Sequence, residues 1–375
     1  MKEISFIKRS GVVYKINNGF IEREWSKDDI TFSRYVTENN RVNINKDNLN
    51  FYITVTNSSI IIPPKEKGRF YIYIARQWIC HDPTQTLVYF VTDGLTNRII
   101  KKGRLSLCYW TDGRYFCAED PQAIMLDDSR IGIVTSQWDF YKNRVYIGWN
   151  VINIEDLLYN KKELIVNTPS IIEHPNPKSW EKNWSFVPDI SCKSDLHFIY
   201  THSPTVVIRF PAKDWIPIVR KGQVVIRTEN RILRHIGNDH IRGSTPTMMY
   251  KIDKNENRDY YLYTLAHDKR YSNKGKRYYV NWLIVYKNLL SSNSEIYISR
   301  EPFVYSNPEH NNSVVFPRTF HLLNNDGTES IICGGIHDTY IFTSILKHKD
   351  NIIIPNNTVD SNDSFLKYVD TISEL

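Results

Sequence analysis

Aromatic and β-branched residues recur along this chain in short runs, and almost nowhere at helical spacing. Phe70–Ile74, Leu87–Thr92, Ile131–Thr135, Arg144–Asn150, Leu196–Thr201, Thr205–Phe210 and Tyr278–Tyr286 are runs of this kind. Between them lie Asn, Asp, Gly, Pro and Lys clusters that favour turns. Only Ile154–Tyr159 and the tail around Ser364–Leu375 carry a weak helical pattern. The pattern predicts an all-β protein.

Ordinary β-sandwiches use about 100 residues. Here 375 residues of strand pattern run without a Gly/Ser-rich or Pro-rich linker, which predicts one larger closed domain over residues 1–375. Four segments share a plan, a proline near the start of one strand followed by a second strand. Their prolines stand at 121, 188, 246 and 317, at intervals of 67, 58 and 71 residues. The second strands are expected at Ile131–Thr135, Leu196–His202, Tyr260–His267 and Ser330–His337. A fifth unit falls around Phe51–Thr92, with the N-terminal residues closing the ring. Radial repetition of such units leaves few exposed sheet edges, so the predicted fold is a five-bladed β-propeller.

Composition narrows the class without naming an activity. Hydrophobic residues make up 41% and charged residues 24%, an ordinary globular balance. The net charge of +7 is spread along the chain, too thinly to call for a nucleic-acid partner. No apolar run approaches the ~18–20 residues of a membrane span. Met1–Ile16 carries Lys2, Glu3, Lys8, Arg9 and Lys15 with no apolar stretch between them, so no signal peptide is expected. Five widely spaced cysteines (80, 108, 117, 192 and 333) argue against a disulfide framework or structural zinc, and for a reducing, cytoplasmic setting. The aromatic content of 13% suits an all-β core, and flat aromatic faces also suit sugars.

In a propeller the innermost strands line a central funnel, and polar residues cluster where those strands should begin. Glu119-Asp120 precede Pro121, Glu181-Lys182-Asn183-Trp184 precede Pro188, and Arg242-Gly243-Ser244-Thr245 precede Pro246. Second strands end in His202, His267-Asp268 and His337-Asp338. Such a set at matching repeat positions points to a shared pocket.

The order Glu-Asp-Pro, Lys-Asn-Trp, His-Ser-Pro, Arg-Gly-Ser-Thr-Pro, Tyr-Leu-Tyr-Thr-Leu-Ala-His and Gly-Gly-Ile-His-Asp-Thr resembles the five-bladed propeller enzymes of glycoside hydrolase family 130. The resemblance covers about residues 115–345. It implies a phosphorylase or hydrolase of β-mannosides, or a related mannosyltransferase. By motif it implies that Asp120 is the general acid and that Asp338 contacts the sugar in the donor subsite. It further implies that Lys182, Arg242 and His267 hold phosphate or another anion, with Asn183 beside them. The chain departs from the pattern in two places. Gln122 stands where Arg usually follows Glu-Asp-Pro, and Gly-Gly-Ile-His337-Asp338 stands where Gly-Ala-Ala-Asp is usual.

The chemistry is constrained further by what glycoside cleavage needs. Most such enzymes flank the bond with two carboxyl groups, and the acid keeps its proton through burial or a like-charged neighbour. Glu119 is not automatically that neighbour, because successive strand side chains face opposite ways. Its expected role is to hydrogen-bond backbone or a cation, while Asp120 taken alone also reads as a turn residue before proline. A phosphorylase needs several cations, whereas a hydrolase needs a second carboxylate, for which Glu173, Glu181 and Asp268 are candidates. A glycosyltransferase needs room for an activated donor. Trp184 is a candidate sugar platform or a buried blade residue; His202 and His337 are candidate donors to hydroxyls or core histidines. His235, Asp239 and His240 lack defined ligand geometry, so no metal is expected. Gly-rich phosphate loops, nucleophile elbows and dinucleotide fingerprints are missing. The reading is a carbohydrate-active enzyme acting on a β-mannoside-like sugar, with inorganic phosphate or an activated sugar as co-substrate and no other cofactor. The rivals are a glycosyltransferase in glycan assembly and a non-catalytic propeller that binds a glycan or protein.

Overall fold

The strands are buried on both faces, which is why they read as continuous apolar runs. The computed structural model describes residues 53–347 apart from short segments, among them 229–240, 251–259, 306–314 and 337–339, together with Gly11–Asn17 and Phe20–Trp25. Five antiparallel sheets are formed. Blade I holds Ile53–Ile61, Phe70–Ile79, Thr86–Asp93 and Ile99–Ser106, with Leu164–Ile165 added in parallel at its edge. Blade II holds Arg114–Met125, Arg130–Asp139, Arg144–Asn153 and Ser170–Ile172, with Tyr109–Thr111 paired to its first strand. Blade III holds Ser185–Phe186, Asp195–His202, Thr205–Lys213 and Gln223–Thr228. In blade IV the inner strand is split into Arg242–Gly243 and Met248–Tyr250, followed by Tyr261–Tyr271, Arg277–Lys287 and Glu295–Ile298. Blade V holds Val315–Leu322, Glu329–Ile336 and Tyr340–Lys347. Its outer two strands are Gly11–Asn17 and Phe20–Trp25, so the start of the chain closes the ring.

Alternation of side chains along each strand assigns them to two interfaces. Ile72 and Ile74 pack toward blade II, whereas Tyr73 and Ala75 pack toward blade V. Tyr263 and Leu265 face blade V, and Leu262 and Ala266 face blade III. Five apolar clusters result, each spanning one pair of adjacent blades, and together they complete the circle. The II–III cluster is the most aromatic, with Trp149, Trp184, Phe186, Phe198, Tyr200, Phe210 and Trp215 in mutual contact.

The expected second strands all occur among the described residues, the fourth as Glu329–Ile336, with His337 outside them. Three of the four aligned prolines behave alike: Pro121, Pro246 and Pro317 stand where the inner strand is bulged or interrupted. Pro188 differs, because it opens a short 3₁₀ turn, Pro188–Ile190, beyond its inner strand. The weak helical pattern at Ile154–Tyr159 is a helix that packs Ile154 and Leu157 into the I–II cluster; the tail at 364–375 lies outside the described residues. No helix among the described residues is long and apolar enough to cross a membrane.

Blade V depends on a glycine for its bulge. A Cβ on Gly334 would stand 2.7 Å from Pro317 Cα and closer still to the Phe316 carbonyl, both backbone atoms that cannot rotate away. Gly334→Ala is expected to cost about 1–3 kcal/mol through overpacking. Its melting temperature, compared with that of the unchanged protein, checks this.

Candidate active site at the propeller axis

The inner strands kink where they meet. In blade II the register slips between Glu119 and Gln122, and Asp120 takes a left-handed φ of 50°. In blade I it slips between Thr56 and Ser59, where Asn57 has φ 50°; Asn183 of blade III has φ 61°. Asp and Asn tolerate this region better than other side chains that carry a Cβ. The kinks lock together. Asn57 Nδ2 donates to Asp120 Oδ1 at 2.7 Å. Ser59 Oγ donates to the Pro121 carbonyl at 3.0 Å, and the same carbonyl accepts from Arg318 Nε at 3.1 Å. Arg318 Nη2 donates to the Asp120 carbonyl. Blades I, II and V are thus tied at one point, beneath one carboxylate.

The bulge also overturns the alternation expected for Glu119 and Asp120. Arg76 reaches both, at 3.3 Å to Glu119 and 3.5 Å to Asp120. Lys182 Nζ binds the other Glu119 oxygen at 2.9 Å and lies 5.6 Å from the Trp138 ring centre. Glu119 therefore bridges two cations, the role its sequence position suggested. Burial pushes the Asp120 carboxyl up, but Arg76, Lys182, Arg318 and the Asn57 hydrogen bond outweigh it and hold the group below its ordinary value. For Lys182, burial acts downward and the carboxylates of Glu119 and Asp120 prevail, so it stays charged.

His267 is nearly buried and hydrogen-bonded through Nδ1 to Ser244 Oγ at 3.0 Å. Ser244 gives its proton to Asn281 Oδ1, whose amide in turn donates to the Val315 carbonyl. The network assigns the proton to His267 Nδ1 and leaves Nε2 as an acceptor. Burial first, then Arg318 and Arg242, push this histidine down to about 3, so it is neutral. Arg242 sits against the Tyr200 ring at 4.5 Å and donates to the Tyr200 carbonyl at 2.7 Å. Gln122 Nε2 donates to the Ser244 carbonyl at 3.3 Å. Three buried atoms around the axis, Gln122 Oε1, Asn183 Oδ1 and Arg318 Nη1, have no partner among the described residues.

Asp120, Lys182, Arg242 and His267 are thus gathered at the axis, as the sequence suggested, and Asn183 joins them through its carbonyl, which accepts from Gly243 N at 3.0 Å. Two of the named residues are buried as core residues. Trp184 is fully buried in the II–III cluster with its indole N–H on Glu181, so it presents no face to a sugar. His202 is also fully buried, with Nδ1 2.6 Å from the Tyr286 hydroxyl, and burial pushes it down to about 3. His337, Asp338, His235, Asp239 and His240 lie outside the described residues. Arg76, Asn57 and Arg318 were not singled out from the sequence. Arg318 directly follows one of the repeat prolines, a signal that could have found it. Arg76 and Asn57 belong to the blade that carries no such proline.

The three candidate second carboxylates are all engaged. Glu173 pairs with Arg220 at 3.0 Å and Arg144 at 3.6 Å. Glu181 is fully buried and accepts from Lys178 N and Trp184 Nε1. Asp268 pairs with Arg270 at 2.7 Å.

Comparison with protein-family models gives no match, and no curated protein matches the chain. Solved structures do. A glycosyl hydrolase from Bacteroides ovatus is 13% identical with a TM-score of 0.50, over 80% of this chain and 87% of that one. A putative glycoside hydrolase from Bacteroides ovatus ATCC 8483 is 11% identical with a TM-score of 0.52, over 81% and 89%. The β-1,2-mannobiose phosphorylase of Listeria innocua is 10% identical with a TM-score of 0.51, over 85% and 97%. At these identities the likeness is one of fold, and in fold the chain resembles the five-bladed propellers of glycoside hydrolase family 130.

Proposed function

We propose that this protein is a carbohydrate-active enzyme that transfers a β-mannoside-like glycosyl group to an anion, in the manner of a glycoside phosphorylase, with Asp120 as general acid. One observation carries the reading: a buried pair of carboxylates, Glu119 and Asp120, held among cations in excess among the described residues. Among the described residues, Arg76, Lys182 and Arg318 surround Glu119 and Asp120, one positive charge in excess, and Arg242 adds a cation beside His267. A surplus of buried positive charge favours an anionic co-substrate. Hydrolysis would instead need a carboxylate to activate water, and the three candidates are committed to other partners.

In the proposed step Asp120 gives its proton to the glycosidic oxygen as the C1–O bond breaks. An oxygen of hydrogen phosphate forms the new bond to C1 from the opposite side, inverting the centre. The proton released by hydrogen phosphate then restores Asp120. The protein's own cations hold Asp120 ionised, so an anion seated against them offsets their field and makes protonation easier. Anion binding and proton uptake are therefore coupled. Arg242, with its fork-shaped donor set, and Lys182 are the groups that would hold the anion. His267 Nε2 is available to accept from a sugar hydroxyl.

The test is product analysis by mass spectrometry on a panel of β-mannosides, with and without phosphate, and with nucleotide-activated sugars plus acceptors. Sugar 1-phosphate formed only with phosphate supports the proposal. Free sugar without phosphate makes the protein a hydrolase. Elongation only from the nucleotide sugar makes it a glycosyltransferase. A glycan bound without turnover makes it a binding propeller.

A further inference from the structure

Beside the axis, on the side of blades II and III, stands a pair of tryptophans that the chemistry above does not use. Trp180 and Trp138 meet edge to face, with ring centres 4.8 Å apart and planes at 87°. Trp180 is 45% exposed, unusual for the largest apolar side chain in a protein whose other blade aromatics are mostly covered. Its backbone is pinned on both sides to the edge of Arg144–Asn153. Val145 N donates to the Ser179 carbonyl at 2.9 Å, and Glu181 N donates to the Val145 carbonyl at 3.0 Å. Trp138 touches the ammonium of Lys182, which is bonded to Glu119, the neighbour of Asp120. A chain of direct contacts therefore runs from the exposed indole to the buried acid.

We infer that Trp180, backed by Trp138, is the stacking platform for the sugar on the leaving-group side of the scissile bond. This rests on the proposed glycosyl-transfer reading. Depth orders the two subsites. Asp120 is only 9% exposed, so the ring whose C1 reacts lies deep; an exposed platform a few contacts further out holds the next ring. The chemistry of the ligand fits. A β-linked mannopyranoside carries the axial hydrogens of C1, C3 and C5 on one face and its axial hydroxyl on the other. That first face is a flat apolar patch suited to an indole. Fixing Trp180 by hydrogen bonds on both flanks means that little entropy is lost when the ring is engaged. The role the sequence offered to Trp184 thus passes to a tryptophan four residues earlier.

The test uses the full chain carrying Asp120→Asn, so that ligands are not consumed, and compares it with the same chain carrying Trp180→Ala or Trp180→Phe. Binding of β-mannobiose, β-mannotriose, methyl β-mannoside and inorganic phosphate is read by calorimetry. Trp180→Ala is expected to weaken the oligosaccharides about tenfold. It should leave methyl mannoside and phosphate unchanged, and Trp180→Phe should restore most of the loss. In the active protein the same change should raise KM for the oligosaccharide with little effect on kcat. Oligosaccharides that bind the Trp180→Ala and parent chains equally would overturn this inference alone. If no sugar binds the parent chain, the platform and the glycosyl-transfer reading fall together. Equal weakening of phosphate would show a general disturbance of the site and also overturn the platform.

Discussion

Asp120→Asn is expected to lower turnover by about 10²–10⁴-fold, the usual contribution of a general acid, while glycan binding persists. Asparagine keeps the shape and an oxygen that can still accept from Asn57 Nδ2. It removes the proton and the negative charge set against Arg76, Lys182 and Arg318. A second, activity-independent signature follows from the sign of the shift. The Asp120 carboxyl is held below its ordinary value, so its stabilising effect is present above about pH 4 and is lost as the pH falls through its depressed value. Thermal melts of the variant should therefore show a shallower loss of stability on acidification below about pH 4 than wild type. Turnover retained within a factor of a few would remove Asp120 from the chemistry.

Arg318→Met is expected to be among the most destabilising single changes at the axis. Arg318 is only 2% exposed and no carboxylate oxygen among the described residues bonds it; it donates to the backbone carbonyls of Asp120 and Pro121 and lies 4.8 Å from the Phe316 ring centre. Burial pushes it down to about 10, with Asp120 only partly opposing this. Methionine fills similar volume but leaves the Asp120 carbonyl without its donor. An unsatisfied buried acceptor costs about 1–3 kcal/mol. Arg318→Lys keeps the charge and loses the fork. If geometry is what matters, both variants lose thermal stability and turnover together. If only charge matters, the lysine variant recovers both. Melting temperature and kcat of the two variants, measured side by side, decide between these.

Much of the ring was readable because a blade buries both faces. Runs such as Phe70–Ile74 and Phe198–Tyr200 are apolar at successive positions, which distinguishes them from strands with one wet face, and the repeat prolines gave the spacing. The candidate site was readable in part, at Asp120, Lys182 and Arg242, which precede repeat prolines, and at His267 toward the end of a second strand. It failed where the backbone leaves the regular pleat. Alternation put Glu119 and Asp120 on opposite faces, and a bulge with a left-handed Asp120 brings both to Arg76. Arg76 sits in mid-strand, in a blade without the proline mark, and nothing in its immediate sequence advertises a partner 43 or 44 positions away. Trp184 and Trp180 carry the same side chain four residues apart. Only the packing of blades II and III tells which is core and which is rim.

The pairing of Gly11–Asn17 with Tyr340–Lys347 has a consequence for how the molecule is made. Gly11 pairs with Leu346, so a strand made early waits for one made about 335 residues later. At about 5–20 residues per second that interval is tens of seconds. During it blades I to IV can assemble from neighbours close in sequence, but blade I lacks the cover that blade V supplies to Ile60, Tyr73, Val88 and Phe90. Nascent chains are therefore exposed to aggregation until Tyr340–Lys347 has been made. A circular permutant that begins after Trp25 and carries residues 1–25 behind Lys347 would turn this long-range closure into a local hairpin.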